Sequence, residues 1–123
     1  MIIRRIASPS ASPDIRVVAN EMNVSVMIVD GVRAVGIANM DNVGDYWWLA
    51  RLNVQPGYRN IGYGRLLADK LKELRGDLPI VVCPGGYDLT SKEQHHFYSR
   101  CGFVEKGDHM VYPDVELEHL MSR

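Results

Sequence analysis

The sequence predicts a single α/β domain in which helices flank a mixed β-sheet. Two runs rich in β-branched residues, Asn23 to Val29 and Val32 to Met40, flank the dipeptide Asp30-Gly31. This arrangement is a strong signal for a β-hairpin. Apolar residues then recur at helical spacing between Asn60 and Arg75, which predicts an amphipathic helix. Strand-like and helix-like segments alternate in the rest of the chain, as in a sheet covered by helices.

Before the hairpin, the sequence predicts a short first strand ahead of the segment Ser8 to Pro13, and a helix from Ser12 to about Glu21. Ser12 suits the N-cap of that helix, and Pro13 suits its first turn. After the hairpin, aromatic and aliphatic residues from Tyr46 to Val54 predict a long strand, the fourth.

The second half of the chain continues the alternation. Gly76 stands where the helix at residues 60–75 would end, and the apolar run from Leu78 to Cys83 predicts a short buried strand, the fifth. Ser91 is placed to cap a helix that reaches about Cys101. From Phe103 onward the pattern returns to strand. No repeat and no long linker divides the 123 residues, so we expect one domain over residues 1–123.

Composition excludes several classes of protein. The formal net charge is -1, with 24% charged and 46% hydrophobic residues, so the sequence shows none of the basic excess that nucleic-acid binding would require. The apolar run after Met1 is too short for a signal sequence or a membrane span, which favours a cytoplasmic protein without membrane contact. Cys83 and Cys101 lack the spacing of metal ligands, and we expect free thiols and no metal site.

The segment from Val54 to Leu67 combines the end of a strand, a glycine-rich loop and the start of a helix. The loop contains Gln55-Pro56-Gly57-Tyr58, followed by Arg59-Asn60-Ile61-Gly62-Tyr63-Gly64, and the predicted helix begins inside the second part. Backbone N–H groups at a helix N-terminus favour a phosphate group, and glycine lets a ligand approach the main chain. Arg59 adds a planar guanidinium that pairs well with phosphate oxygens.

A simpler interpretation is open for the same glycines. Gly57, Gly62 and Gly64 would serve equally well to make a tight turn and to bring the helix close to the sheet. The order of strand, proline, arginine, glycines and leucine-rich helix favours the phosphate interpretation. The segment has neither the Gly-x-Gly-x-x-Gly of dinucleotide folds nor the Gly-Lys-Ser/Thr end of a P-loop.

Two motifs in this chain resemble signatures of the GNAT superfamily of N-acetyltransferases. VQPGYRNIGYGRLL, at residues 54–67, resembles the acetyl-CoA-binding signature of that family, and FYSRCGF, at residues 97–103, resembles its second signature. Together the motifs cover about a quarter of the chain. The resemblance implies the GNAT fold: a mostly antiparallel mixed sheet whose fourth and fifth strands splay apart around the pantetheine arm of acetyl-CoA.

The resemblance also implies a set of cofactor-binding positions, many of which act through the main chain. These are Leu52, Val54, Arg59, Asn60, Ile61, Gly62, Tyr63, Gly64, Arg65, Ser91 and Tyr98. Ser91 stands where many relatives have an asparagine that contacts pantetheine, although capping the helix explains it equally well.

For catalysis, the resemblance implies that the N–H of Leu52 stabilises the oxyanion and that Tyr98 protonates the departing thiolate. Many relatives carry a glutamate base two residues before the oxyanion leucine, but this chain has Ala50 there. His95, three residues before Tyr98, is the candidate base, whereas His96 should point elsewhere. Glu21 and Asp45 are weaker candidates.

The acceptor in this superfamily is an amine. The regions that usually shape the acceptor site are short here, which predicts an open groove suited to a lysine or N-terminus of a protein, or a site completed by a second subunit in a homodimer. Trp47 and Trp48 alternate on their strand, so one is expected in the core and the other in the groove. A small-molecule amine acetyltransferase and a non-catalytic acyl-CoA-binding protein remain as alternatives.

Overall fold

The computed structural model describes residues 13–85 and 91–117, and in these ranges seven strands form one mixed sheet with two α-helices. The strands are β1 (Asp14–Ala19), β2 (Asn23–Asp30), β3 (Arg33–Asn42), β4 (Trp47–Val54), β5 (Ile80–Val82), β6 (Val104–Lys106) and β7 (His109–Tyr112); the helices are α1 (Tyr63–Leu74) and α2 (Ser91–Arg100). The sheet order is β1-β2-β3-β4-β5-β7-β6, and β4 with β5 is its parallel pair. This architecture is the GNAT fold that the sequence predicted. No helix in the described ranges is long and apolar enough to cross a membrane.

The prediction of a helix from Ser12 to about Glu21 is wrong. Asp14–Ala19 forms strand β1 instead. β1 pairs antiparallel with β2, and the side chain of Asn20 accepts hydrogen bonds from the N–H groups of Met22 and Asn23 at 2.8 and 3.0 Å in the turn between them. An asparagine that closes its own turn, next to β-branched residues, favours a hairpin over a helix. The first strand predicted ahead of Ser8 lies outside the described residues.

The predicted hairpin is confirmed as β2 and β3, and Gly31 makes the turn with a φ of 65°. β4 pairs with β3 along its length, with an irregularity that leaves Ala50 as an extra residue. On its other side, β4 pairs with β5 through only two residues, Trp47 and Trp48. The two strands then separate, so the sheet splays where the resemblance implied.

α1 covers the face of β2, β3 and β4. Leu67 and Leu71 of the helix are almost fully buried against the sheet, as their helical spacing predicted. α2 packs beside α1: the Arg65 guanidinium donates a hydrogen bond to the carbonyl oxygen of Arg100 at 3.3 Å, and Lys72 Nζ donates to the carbonyl oxygen of Cys101 at 2.8 Å.

The two adjacent tryptophans lie on opposite faces of β4. Trp47 is 6% exposed, and its indole N–H donates to the carbonyl oxygen of Arg75 at 2.9 Å, near the C-terminus of α1. Trp48 is half-buried on the other face, with its ring 5.8 Å from that of His109 in an edge-on contact. Trp47 is therefore the core residue of the pair.

Replacing Trp47 by phenylalanine should destabilise the fold more than the same change at Trp48. Trp47→Phe leaves the Arg75 carbonyl without its donor and opens space in the core, at a cost of about 2–4 kcal/mol in the free energy of unfolding. Trp48→Phe removes no hydrogen bond within the described residues and should cost less than about 1.5 kcal/mol. Urea denaturation followed by circular dichroism measures both, and equal losses would contradict the assignment.

Candidate active site

The edge of β4 that faces the splay presents main-chain groups to open space. The N–H of Gln55 bonds the carbonyl oxygen of Val35, on the β3 side, at 2.9 Å. Because antiparallel partners alternate direction along a strand, the N–H groups of Val54 and Leu52 point the other way, into the gap. Both residues therefore present main-chain donors where the resemblance requires them.

The loop between β4 and α1 is tied to the tip of the β2–β3 hairpin. The Tyr58 hydroxyl donates to Asp30 Oδ2 at 2.6 Å, and the Arg33 guanidinium donates to Gln55 Oε1 at 2.9 Å. The hydrogen bond to the Asp30 carboxylate raises the pKa of Tyr58. These contacts hold the loop in place at the entrance to α1.

The N-terminus of α1 has no capping side chain. Gly62 occupies the N-cap, no side chain bonds the free N–H groups, and the first turn contains no acidic residue. The first hydrogen bond of the helix runs from the N–H of Leu66 to the carbonyl oxygen of Gly62 at 3.0 Å, so the N–H groups of the preceding residues lack helical partners. Such an end, with its positive partial charge, binds an anion.

The glycines of the loop are required for different reasons. Gly62 has a φ of 94°, a left-handed conformation that favours glycine, and a Cβ there would meet no atom within 4 Å. Gly64 has no such conformation, but its Cβ would lie 3.0 Å from Cε1 and 3.2 Å from Cζ of Phe97. Gly62 thus leaves room for a ligand, whereas Gly64 lets α2 approach α1. The packing interpretation is confirmed at Gly64, and the phosphate interpretation stays a prediction at Gly62.

Arg59 is turned toward the main chain of β4. Its Nε donates to the carbonyl oxygen of Val54 at 2.7 Å, and its Nη2 lies 3.4 Å from Asn53 Oδ1. The side chain therefore fixes the end of β4 as well as placing a positive charge beside the loop. The sequence predicted the positive charge of Arg59 beside the loop, but it did not predict that Arg59 anchors the end of β4.

A cavity of about 740 Å³ runs from the β4 edge to the groove between the helices, a volume in the range of small-molecule sites. Eight of the predicted residues line it: Leu52, Val54, Arg59, Asn60, Gly62, Gly64, Arg65 and Tyr98. The residues that the sequence did not assign to the site are Asn53, Glu93, Gln94, His96, Phe97, Arg100 and Cys101.

Three predicted cofactor-binding residues are placed differently. Ile61 packs against the core, and Tyr63 is buried with its ring stacked 6.2 Å from that of Tyr58. Neither residue is in the described lining of the cavity. Ser91 begins α2, and its side chain is outside the described part of the structure.

A smaller recess of about 30 Å³ adjoins the cavity, a volume close to that of one water molecule. Leu52, Gln94 and Tyr98 line both spaces. Tyr98 is 3% exposed, with its ring centroid 5.3 Å from that of Phe103, so it is a packed side chain that also faces the cavity. The junction of the two spaces is where the thioester of a bound acyl-CoA would lie.

Gln94 is a buried polar side chain at this junction, 8% exposed. Its Oε1 accepts a hydrogen bond from the N–H of Gly85 at 3.0 Å, which ties α2 to the chain leaving β5. Gln94, Tyr98 and Cys101 are buried at i, i+4 and i+7, the spacing of one helical face. That spacing was the signal in the sequence that would have found Gln94.

His95 lies outside the described lining of both spaces, in contrast to its expected position beside Tyr98. Its Nε2 is 3.2 Å from Glu105 Oε2 on the side of α2 that faces β6. His96, expected to point elsewhere, lines the cavity. The buried position on the face of Tyr98 is taken by Gln94, four positions before it, and His95 is turned toward Glu105 of β6. We place no proton transfer on His95.

Comparison with known families shows to which protein family the chain belongs. A family model for the GNAT acetyltransferase domain matches residues 20–105, which is more than half of the chain. The chain belongs to the GNAT acetyltransferase family. This family uses acetyl-CoA as its acyl donor. No curated protein matches this sequence.

Solved structures repeat the fold at low sequence identity. A protein of Bacteroides thetaiotaomicron assigned to the GNAT family is 22% identical, with a TM-score of 0.58 over 78% of this chain and 64% of its own. A proposed streptothricin acetyltransferase of Bacillus anthracis, in complex with acetyl-CoA, is 19% identical, with a TM-score of 0.62 over 75% and 60%. The anti-CRISPR protein AcrVA5 is 17% identical, with a TM-score of 0.56 over 74% and 98%. This GNAT chain thus matches less than two thirds of the length of the first two.

Adding a methyl group at Gly64 should push the two helices apart. Gly64→Ala places its Cβ against the Phe97 ring, and we expect a loss of about 1–3 kcal/mol in the free energy of unfolding. The double variant Gly64→Ala/Phe97→Leu should lose less than the sum of the two single changes, because the smaller side chain yields space.

Gly57→Ala is the matched control, since a Cβ there meets no atom within 4 Å and its φ lies outside the left-handed range. It should stay within about 0.5 kcal/mol of wild type. Thermal and urea unfolding measure wild type, the two single variants, the double variant and Gly57→Ala. A Gly64→Ala variant as stable as Gly57→Ala would show that the helices are not in close contact.

Cys101 makes the stability of this GNAT domain dependent on pH. Burial raises the pKa of its thiol. In the unfolded chain the thiol ionises like that of free cysteine, at about pH 8.5. Above that pH the unfolded state loses a proton that the folded state keeps, so the free energy of unfolding falls as pH rises. Cys101→Ala should flatten this fall between about pH 8 and pH 10.

Urea titrations at a series of pH values measure the slope for wild type, Cys101→Ala and Cys83→Ala. Cys83 is exposed, so its removal serves as the matched loss of a thiol and should preserve the wild-type slope. The comparison uses the slope rather than the absolute stability, because alanine at the buried position also removes packing. A Cys101→Ala slope equal to wild type would refute the assignment.

Proposed function

We propose that this chain binds acetyl-CoA in the 740 Å³ cavity and transfers the acetyl group to a primary amine of a protein, a lysine or an N-terminus. The observation that supports it is the continuity of one cavity with two main-chain binding elements. The open edge of β4 suits the amides of pantetheine, and the uncapped N-terminus of α1 suits the pyrophosphate. Arg59, Arg65 and Arg100 line the same cavity and complement the negative charge of the cofactor.

In this mechanism, the amine nitrogen attacks the thioester carbonyl carbon directly. The carbonyl oxygen becomes negatively charged, and the N–H of Leu52, which points into the gap, donates a hydrogen bond to it. The intermediate collapses by breaking the carbon–sulfur bond. The Tyr98 hydroxyl, at the junction of cavity and recess, donates a proton to the departing thiolate, while the proton of the attacking amine passes to water.

Two further functions remain alternatives. A small-molecule amine as acceptor is favoured by the fold shared with the proposed streptothricin acetyltransferase. Two observations favour a non-catalytic acyl-CoA-binding protein. Ala50 stands where many relatives carry the glutamate base, and the described lining of the recess contains neither a carboxylate nor an imidazole. The cytoplasmic location and the homodimer expected from the sequence stay predictions.

Replacing Tyr98 by phenylalanine should slow acetyl transfer and leave cofactor binding intact. Loss of a general acid lowers kcat by about a hundredfold, whereas the ring and its packing are preserved. Release of free thiol from acetyl-CoA measures the rate with a panel of peptide and small amines, and calorimetry measures the affinity for acetyl-CoA.

Tyr112→Phe is the matched control. Tyr112 lies outside the described lining of both spaces, with Lys72 Nζ 4.8 Å from its ring centroid, and its loss should leave kcat near wild type. If wild type bound acetyl-CoA but released thiol with no amine, the non-catalytic alternative would gain. If Tyr98→Phe matched wild type in kcat, Tyr98 would have no part in the mechanism.

A further inference from the structure

The recess beside the thioester position is the place where an acceptor amine would arrive, and its charge is unusual. Its described lining consists of Leu49, Ala50, Arg51, Leu52, Val82, Cys83, Gly85, Gln94 and Tyr98. Arg51 is the charged residue of this set, and the set contains no carboxylate. An acceptor site for a polyamine or another multiply charged cation would need acidic side chains at this point. Among the described residues, the recess offers a cation no acidic partner.

Arg51 lies on the face of the sheet opposite α1. In β3, Ala38 and Met40 are fully buried, so Asn39 between them faces away from that core. Arg51 is the register partner of Asn39 and shares its face. Its side chain is exposed, and it forms neither an ion pair nor a hydrogen bond with another described residue.

None of the described charged residues on this face forms an ion pair with Arg51. Asp14 and Arg16 on β1 pair with each other at 3.1 Å. Asp41 on β3 is the register partner of Trp48 on β4. This pair lies beyond the irregularity in the pairing of β3 with β4, on the other side of it from Arg51. The titratable groups of the recess itself are Cys83 and Tyr98. Arg51 is thus the guanidinium that an anionic group of an acceptor would meet first.

A cation at this place acts on an acceptor in two ways. It disfavours the protonated form of an amine held beside it, which lowers the pKa of that amine. It also offers a planar pair of donors to a carboxylate. At pH 7.5 an α-amine is about one-third neutral, whereas a lysine amine is about 0.1% neutral. A recess whose described lining holds no carboxylate or imidazole gains most from an acceptor that is already deprotonated.

We infer that the acceptor is an α-amine with a carboxylate close to it, and that Arg51 determines this specificity by binding the carboxylate. The inference rests on the proposed acetyl transfer at the same site. The N-terminal residue of a peptide that begins with aspartate or glutamate supplies this chemistry. A free amino acid carries the same two groups, but its own carboxylate raises the pKa of its amine, and the test below distinguishes the two sources. The nitrogen loses its proton to water and forms the amide bond, and coenzyme A leaves as the thiol.

The test compares acceptors in the thiol-release assay with acetyl-CoA. The panel consists of tetrapeptide amides beginning with aspartate or alanine, an N-terminally blocked lysine tetrapeptide amide, free aspartate, free alanine and spermidine. Wild type should prefer the aspartate peptide to the alanine peptide by at least about tenfold in kcat/KM, the scale of one charge-assisted contact. A higher rate with free aspartate than with the peptide would identify the amino acid as the source.

Variants at Arg51 separate its charge from its shape. Arg51→Ala should reduce the preference to about equality, Arg51→Lys should retain part of it, and Arg51→Glu should invert it in favour of the alanine peptide. Arg16→Ala is the matched control, because Arg16 lies on the same face but three strands away and should keep the wild-type preference. If Arg51→Ala kept the wild-type ratio, the inference would be overturned.

Binding distinguishes this inference from the proposed function. Affinities of the two peptides for the coenzyme A-saturated protein are measured by calorimetry for wild type and Arg51→Ala. If no amine releases thiol but wild type binds the aspartate peptide about tenfold more tightly than Arg51→Ala does, the transferase function fails and the specificity of Arg51 stands. Equal affinities in the two proteins would overturn the role of Arg51 whatever the activity.

Discussion

The candidate site depends on the point at which β4 loses its partner strand. Pairing with β5 stops after Trp48, because Ala50 is an extra residue in the strand and β5 is only three residues long. A buried N–H without a partner costs about 1–3 kcal/mol, so a strand edge in the middle of a sheet persists only where water or a ligand reaches it. The 740 Å³ cavity provides that access. The same break that weakens the sheet makes its main chain available to the pantetheine of a cofactor.

The helices on either side of the gap are held by contacts that leave the main chain free. Gly64 lets Phe97 of α2 approach α1, and the uncapped end of α1 opens toward the groove between them. Arg59 bonds the carbonyl oxygen of Val54, which satisfies one acceptor of the open edge without occupying its N–H groups. Polar side chains therefore stabilise the walls of the site, while backbone N–H groups remain for the ligand. This division explains why a site rich in main-chain donors does not collapse on itself.

The sequence predicted the elements whose signals are local. The hairpin at Gly31 and the helix with Leu67 and Leu71 follow from turn chemistry and periodicity, and both are confirmed. The segment Asp14–Ala19 was predicted as a helix because serine and proline precede it, but pairing with β2 decided its conformation. The role of Gly64 likewise depends on Phe97, 33 positions along the chain. On α2 the local signal was present but was not used: Gln94, Tyr98 and Cys101 share one helical face, whereas His95 lies against Glu105.

Recognition of the donor and recognition of the acceptor use different atoms, and this difference limits what the sequence can predict. A pyrophosphate and a pantetheine arm are bound by N–H groups, and their positions follow from glycines and helix ends that leave clear patterns in a sequence. An acceptor amine is selected by side chains around the recess. There, the loss of a carboxylate at Ala50 and the presence of Arg51 leave no general pattern, since each is an ordinary surface residue when taken alone. Their meaning comes from the recess that brings them next to Leu52 and Tyr98. Under the proposed mechanism, the charge of that recess, rather than any motif, would determine which amine approaches the thioester in its neutral form.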